Sequence, residues 1–248
     1  MTATLAAQTF IGALLTALAT GLGGVPFLFV PRLRQHLVGL AWGVSGGLML
    51  SASVFNLIFA GVQRAGYNPV AFGIILGGAF YWVAERRLGH GEMSFFHLEG
   101  ASAQRALLVI GTMFVHSFAE GVAIGVGFGS GERSLAILLT IAIAIHNVPE
   151  GLAVSLPLRA EGFSGWACIW WAIFTSLPQP LLAVPAALLV AYFHPLVPIG
   201  FGFAAGAMGF LVFSEMVPEG IEHSGRIPTA TAVLAGFLLM MVLQNVLQ

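Results

Sequence analysis

The chain has 248 residues, 58% of them hydrophobic and only 8% charged, with a mean hydropathy of +0.95. A soluble globular domain carries about 25% charged residues, so this composition excludes that class and points to a polytopic protein of the lipid bilayer. The formal net charge of −1 argues against nucleic acid as a partner, and the single Cys168 excludes an internal disulfide or a multi-cysteine metal site.

The chain reads as one all-α transmembrane domain, residues 1–248, with eight apolar spans. They are Thr4–Val30, His36–Gly61, Pro69–Ala84, Ala106–Phe128, Leu135–Leu158, Ser164–Phe193, Leu196–Val217 and Ile227–Val246. Crossing a bilayer takes ~20 residues at a rise of ~1.5 Å each. The third span is short and extends toward Arg86. Thr2–Val30 is too long for a cleavable signal peptide and lacks a basic start. Cys168, in the sixth span, reads as a free structural thiol.

All nine cations are arginine. The loops after the first, third, fifth and seventh spans hold Arg32, Arg34, Arg86, Arg87, Arg105, Arg159 and Arg226, against Arg64 and Arg133 on the other side. Positive charge marks the cytoplasmic face, which puts both termini outside a cell (inner) membrane. Trp42, Trp82, Trp166, Trp170 and Trp171 all fall near the predicted cytoplasmic ends, where interfacial rings belong. The longest polar loop, about 85–105, carries His90, Glu92, His97 and Glu99 on that face. It reads as a solvated segment, with loose metal holding as the alternative. Glycines recur at spacing four (Gly39/Gly43, Gly73/Gly77, Gly121/Gly125, Gly202/Gly206), which lets helices approach closely in lipid.

The chemistry concentrates in a repeated pattern. His116-Ser-Phe-Ala-Glu120-Gly121 in the fourth span returns thirty residues later as His146-Asn-Val-Pro-Glu150-Gly151 in the fifth. Residues four apart share a helix face, so each copy stacks an imidazole over a carboxylate near the middle of its span. Ionisable groups at membrane depth are costly unless they face protein, water or an ion. Hydrogen-bonded core histidines are the plainer reading of one such residue, but two copies of the pair form a nitrogen/oxygen set suited to Zn²⁺, Fe²⁺, Mn²⁺ or Cd²⁺. Protons compete for the same groups, so metal uptake is expected to fall at low pH. Pro149 removes the donor for the Ile145 carbonyl, an opening tolerated at this depth where it is buried in protein or lines a polar cavity. Met49 is a candidate soft ligand, with core filler as its plainer reading. A third cluster ends the seventh span, where Glu215 and Glu219 stand four apart around Pro218 on the predicted cytoplasmic side. These two are candidate exit ligands.

Three functions compete: a carrier importing divalent metal, an intramembrane metalloenzyme, and a metal-gated channel. The enzyme reading lacks an H-E-x-x-H motif and the Glu-x-x-His pairs of di-iron bundles.

Around these residues the chain resembles the ZIP (Zrt/Irt-like) family of divalent-metal transporters, in particular its bacterial branch. The two His-to-Gly motifs, eight spans and a His-containing loop after the third carry the likeness. The resemblance implies a homodimer in which spans one, four, five and six move as a carrier by alternating access against a scaffold of two, three, seven and eight. The metal is substrate, with no organic cofactor. It implies a primary metal position at His116, Glu120, His146 and Glu150, with Met49 near it, and a second position beside it. Where relatives often have Asn and Glu at that second position, this chain has Ser117 and Gln179, while Asn147 stays in place. One negative charge fewer leads to the expectation of one strong metal and a weak or empty neighbour.

Overall fold

The computed structural model describes residues 2–30, 34–89 and 101–247. Arg32 and the loop residues His90, Glu92, His97 and Glu99 lie outside these. Among the described residues, eight helices are long and apolar enough to cross a membrane: Thr2–Leu22, Gln35–Ala65, Tyr67–Arg87, Ile110–Gly129, Arg133–Ala160, Gly165–Tyr192, His194–Ser224 and Arg226–Val246. They are numbered as spans in that order.

The expected boundaries need correction where glycine and proline intervene. The first helix stops at Leu22 rather than Val30, because Gly23, Gly24 and Pro26 turn the chain into the 3₁₀ segment Val25–Leu28. The third helix continues to Gly89, beyond Ala84. The sixth span is two helices, Gly165–Ser176 and Pro178–Tyr192. Pro178 and Pro180 have no N–H to give, and the Leu177 amide bonds the Phe174 carbonyl at 3.2 Å as the first helix closes. Spans two and seven contain π-helical stretches, Ser53–Ile58 and Val212–Met216. Tight turns between spans carry one glycine each in the left-handed region: Gly66, Gly131, Gly162 and Gly225, with φ of 75°, 83°, 87° and 85°.

The spans pack as two groups. Span one lies on five and six, and four lies on five and six. Three lies on seven, two lies on seven and eight, and the groups meet where two lies on five and four lies on seven. In lipid the force holding helices together is close packing, since the tails are as apolar as leucine. Glycine supplies it. A Cβ at Gly121 would meet the Gln179 carbonyl at 2.7 Å, and those at Gly125 and Gly129 would strike the carbonyls of Ala183 and Ala187. Three positions spaced by four on span four thus seat against three spaced by four on span six. Gly151 presses on the Thr20 carbonyl, and Gly23 on Val148 and Leu152, which joins span one to span five. In the other group Gly73 and Gly77 press on Ile199 and Phe203, Gly202 and Gly206 on Val70 and Ile74, and Gly47 on Val233.

Among the described glycines these backbone approaches stay inside one group or the other. Gly200 looks across, at the Val126 side chain. The outside of the bundle is apolar and lipid-ready (Leu15, Phe72, Ile75, Leu181, Phe213 and Leu234 are exposed), while Thr16, Thr20, His116, Glu120, His146 and Glu150 are buried.

A matched pair of substitutions tests this packing. Gly77→Ala drives a methyl into the Phe203 backbone, whereas Gly209→Ala enters open space. The first is expected to cost roughly 1–3 kcal/mol as overpacking. The second is expected to be neutral or to gain up to ~1 kcal/mol of helix propensity. Thermal unfolding in detergent, read as Tm, would contradict this packing if the two variants behaved alike.

Candidate metal centre

Close contact of the helices brings the repeated motifs together. His116 and Glu120 on span four and His146 and Glu150 on span five each offer a ligand atom, all within 4.8 Å of one another. All four are 0–1% exposed. His146 Nε2–H donates to Glu120 Oε1 at 2.7 Å. His116 Nε2 lies 3.5 Å from the same oxygen and 3.9 Å from Glu150 Oε2.

Several buried atoms here lack a hydrogen-bond partner among the described residues: both ring nitrogens of His116, Nδ1 of His146, and both carboxylate oxygens of Glu150. Buried polar atoms are nearly always satisfied in folded proteins, and a buried carboxylate without a partner is among the costliest exceptions. A divalent cation fits this donor set. It would draw lone pairs from both imidazoles, and the two carboxylates would balance its charge.

The surroundings explain how these groups are held. The break in span six sits at Ser176–Gln179, and the Gly121 contact lays Gln179 directly beside Glu120. Gln179 Nε2–H donates to Glu120 Oε2 at 2.5 Å, so Glu120 has a donor on each oxygen. Gln179 Oε1 accepts from Thr16 Oγ1 at 2.5 Å and from Asn147 Nδ2 at 3.5 Å. Asn147 Nδ2–H also reaches the Thr16 carbonyl at 3.1 Å. Thr20 Oγ1 and Ser176 Oγ are 2.7 Å apart. Near Pro149, the Ser45 hydroxyl of span two donates to the His146 carbonyl at 3.1 Å.

The other candidates fall in different places. Ser117 is buried, with an unpartnered hydroxyl among the described residues. Met49 is buried in the main apolar cluster, which also holds Leu211 and Met216. Glu215 stands outside the four-residue group, in the π-helical stretch of span seven, where Tyr81 Oη donates to its Oε1 at 3.1 Å. Glu219 is also outside it, one turn further on, with its Oε2 3.6 Å from His223 Nδ1. Thr16, Thr20 and Ser45 were not picked out from the sequence. The signal for the first two was present, since Thr9, Thr16 and Thr20 recur at seven and four along an otherwise apolar helix.

A profile of the family described as ZIP zinc transporters matches residues 90–244. The chain belongs to the ZIP family. Zinc transporter GufA of Myxococcus xanthus is 32% identical over 245 residues, covering 94% of this chain and 96% of that one. Zinc transporter ZIPB of Bordetella bronchiseptica is 36% identical over 246 residues, covering 92% and 78%. An Arabidopsis thaliana relative is 44% identical over 218 residues, 87% of this chain; these make up 35% of that longer protein, so the chain spans about a third of it. ZIP proteins are carriers rather than catalysts, so the rival reading as an intramembrane enzyme falls away.

Proposed function

We propose that this ZIP protein imports Zn²⁺, or a similar divalent transition-metal ion (Fe²⁺, Mn²⁺ or Cd²⁺), into the cytoplasm by alternating access through the buried His/Glu centre. The observation that carries this is the convergence of His116, Glu120, His146 and Glu150 within 4.8 Å at the middle of two spans. Relatives named as zinc transporters support zinc as the ion. The placement of arginine supports an orientation with both termini outside, and the family resemblance supports a homodimer in the cell membrane.

In this reading the four residues are the ligands of one ion. Gln179, Asn147 and Ser117 form the neighbouring position, which binds weakly or not at all because it lacks a second carboxylate. Met49 lies on the scaffold side of the centre. Glu215 and Glu219 are exit ligands toward the arginine-rich face. Transport needs release as well as capture, and a set without thiolates favours it. The glycine contacts support a carrier of spans one, four, five and six moving against a scaffold of two, three, seven and eight. Their tight backbone seams run within each group, so relative motion would leave them intact.

Metal uptake into proteoliposomes tests the centre. Flux of Zn²⁺ is expected to saturate with concentration. His146→Ala and Glu150→Ala should each reduce it by at least the ~10–100-fold that loss of a mere outer partner costs a metal site. Undiminished uptake in either variant would remove these residues from the path, and flux that never saturates would favour a channel.

The movement has its own test at the end of the bundle opposite the arginine-rich loops. There Arg64 of span two and Glu132, just before span five, form an ion pair at 2.5 Å that joins the two groups. Arg64→Cys with Glu132→Cys should be joined by a disulfide-containing bis-maleimide long enough to replace the two side chains, and native Cys168 is fully buried and out of its reach. Uptake is expected to stop when the cross-link forms and to return on reduction. Full uptake by cross-linked protein would mean that the two groups do not part there.

Restoring a carboxylate by Gln179→Glu should add a second bound ion per chain, measured by elemental analysis. An unchanged metal content would count against the charge argument for the weak neighbour.

A further inference from the structure

We propose that Thr16, on the first span, is a positioning residue that sets the orientation of the Gln179 amide and so keeps the position beside Glu120 closed to a second metal ion. This rests on the single-ion reading above and extends it to a residue outside the repeated motifs.

The argument is one of hydrogen-bond polarity. A glutamine side chain has two unlike ends, a carbonyl oxygen that only accepts and an NH₂ that only donates. Gln179 is fully buried, so water does not decide which way it faces. On one side stands the Glu120 carboxylate, an acceptor in its ionised form, at 2.5 Å. On the other stand two donors, the Thr16 hydroxyl at 2.5 Å and the Asn147 amide at 3.5 Å. The Thr16 hydroxyl is the closer of these. It is also the movable one, because its single proton is shared between Gln179 Oε1 and the Ala13 carbonyl at 2.8 Å. Asn147 has a second commitment, to the Thr16 carbonyl at 3.1 Å.

The result for metal binding is direct. With the NH₂ turned to Glu120, Gln179 presents hydrogens where a metal would need a lone pair. Glu120 Oε2 is tied up by the same bond. Other oxygen donors are close in sequence to the ligands: Ser117 Oγ and Asn147 Oδ1 are both buried and lack hydrogen-bond partners among the described residues. Besides the missing charge, the sense of one amide therefore stands in the way of a second ion. Losing the Thr16 hydroxyl would take away the stronger anchor of the carbonyl end. The amide could then reverse in the presence of metal and offer Oε1 as a ligand.

The experiment is zinc stoichiometry on purified full-length protein in detergent, by elemental analysis after equilibration in buffered zinc, alongside a binding isotherm. Wild type is expected to hold one zinc per chain. Thr16→Val, nearly the same shape without the hydroxyl, should raise this toward two, with affinity for the first ion changed less than tenfold. Thr16→Ser keeps the hydroxyl and should stay at one. If Thr16→Val fails to assemble, Thr16→Ala carries the same expectation. One zinc in both wild type and the hydroxyl-less variant overturns the role of Thr16 while leaving the single-ion centre standing. Two zinc ions in wild type, or none, overturns the single-ion reading itself. A rise in Thr16→Ser equal to that in Thr16→Val would show a packing effect and also overturn the proposal.

Discussion

The structure depends on one constraint: two carboxylates and two imidazoles have to be kept at the depth where a bilayer tolerates charge least. Insertion scales put an ionised side chain at the centre of a lone helix at roughly 2.5–3.5 kcal/mol. Hydrogen bonds and a shared ion are the available compensation, and both require several helices to meet around the same point. The bundle answers by turning its polar residues inward and leaving leucine, isoleucine and phenylalanine to the lipid. A soluble protein would gain from burying those apolar side chains. Here they gain nothing by burial, and the specific contacts must come from shape.

Shape comes from glycine and proline, used for different ends. Glycine at spacing four lets span four lie against the backbone of span six, and this register, set by Gly121, Gly125 and Gly129, fixes which residue faces Glu120. Were the seam shifted by one turn, Ala183 would stand there in place of Gln179 and Glu120 would lose its second donor. Proline opens backbone where polar groups are needed. Pro178 and Pro180 interrupt span six at the level of the centre, and Pro149 disturbs span five between its histidine and glutamate. Irregular backbone at membrane depth is tolerated where protein surrounds it, and here three spans do so.

How far the sequence revealed this follows from the range of each signal. The His-to-Glu spacing is local, and helical geometry turns it into a shared face without further knowledge. Eight apolar runs are equally local, so most span ends were legible to within about five residues, while span one ends eight residues earlier and span seven seven residues later than expected. The early end of span one and the break in span six had visible causes in Gly23, Gly24, Pro26, Pro178 and Pro180, but a strongly apolar run masked them. The π-helical stretches Ser53–Ile58 and Val212–Met216 were not read from the sequence, although Pro218 closely follows the second. Thr16 was hidden for another reason. Threonine in an apolar helix usually bonds its own backbone, as Thr9 and Thr140 do, and only the third dimension shows that Thr16 also reaches another span.

The two copies of the motif are alike in sequence and unlike in circumstance, and the difference bears on how an ion is handled. Glu120 arrives with both oxygens engaged, by His146 on one side and Gln179 on the other. Its charge is already solvated by protein, and its position is fixed before any ion comes. Glu150 has no such donors among the described residues, and its Oε2 lies 3.9 Å from His116 Nε2. In the proposed reading Glu150 is the carboxylate left for an ion to satisfy, while Glu120 is already held by its partners. The difference between the two motifs traces back to Gln179, which the glycine seam brings to one copy and not to the other.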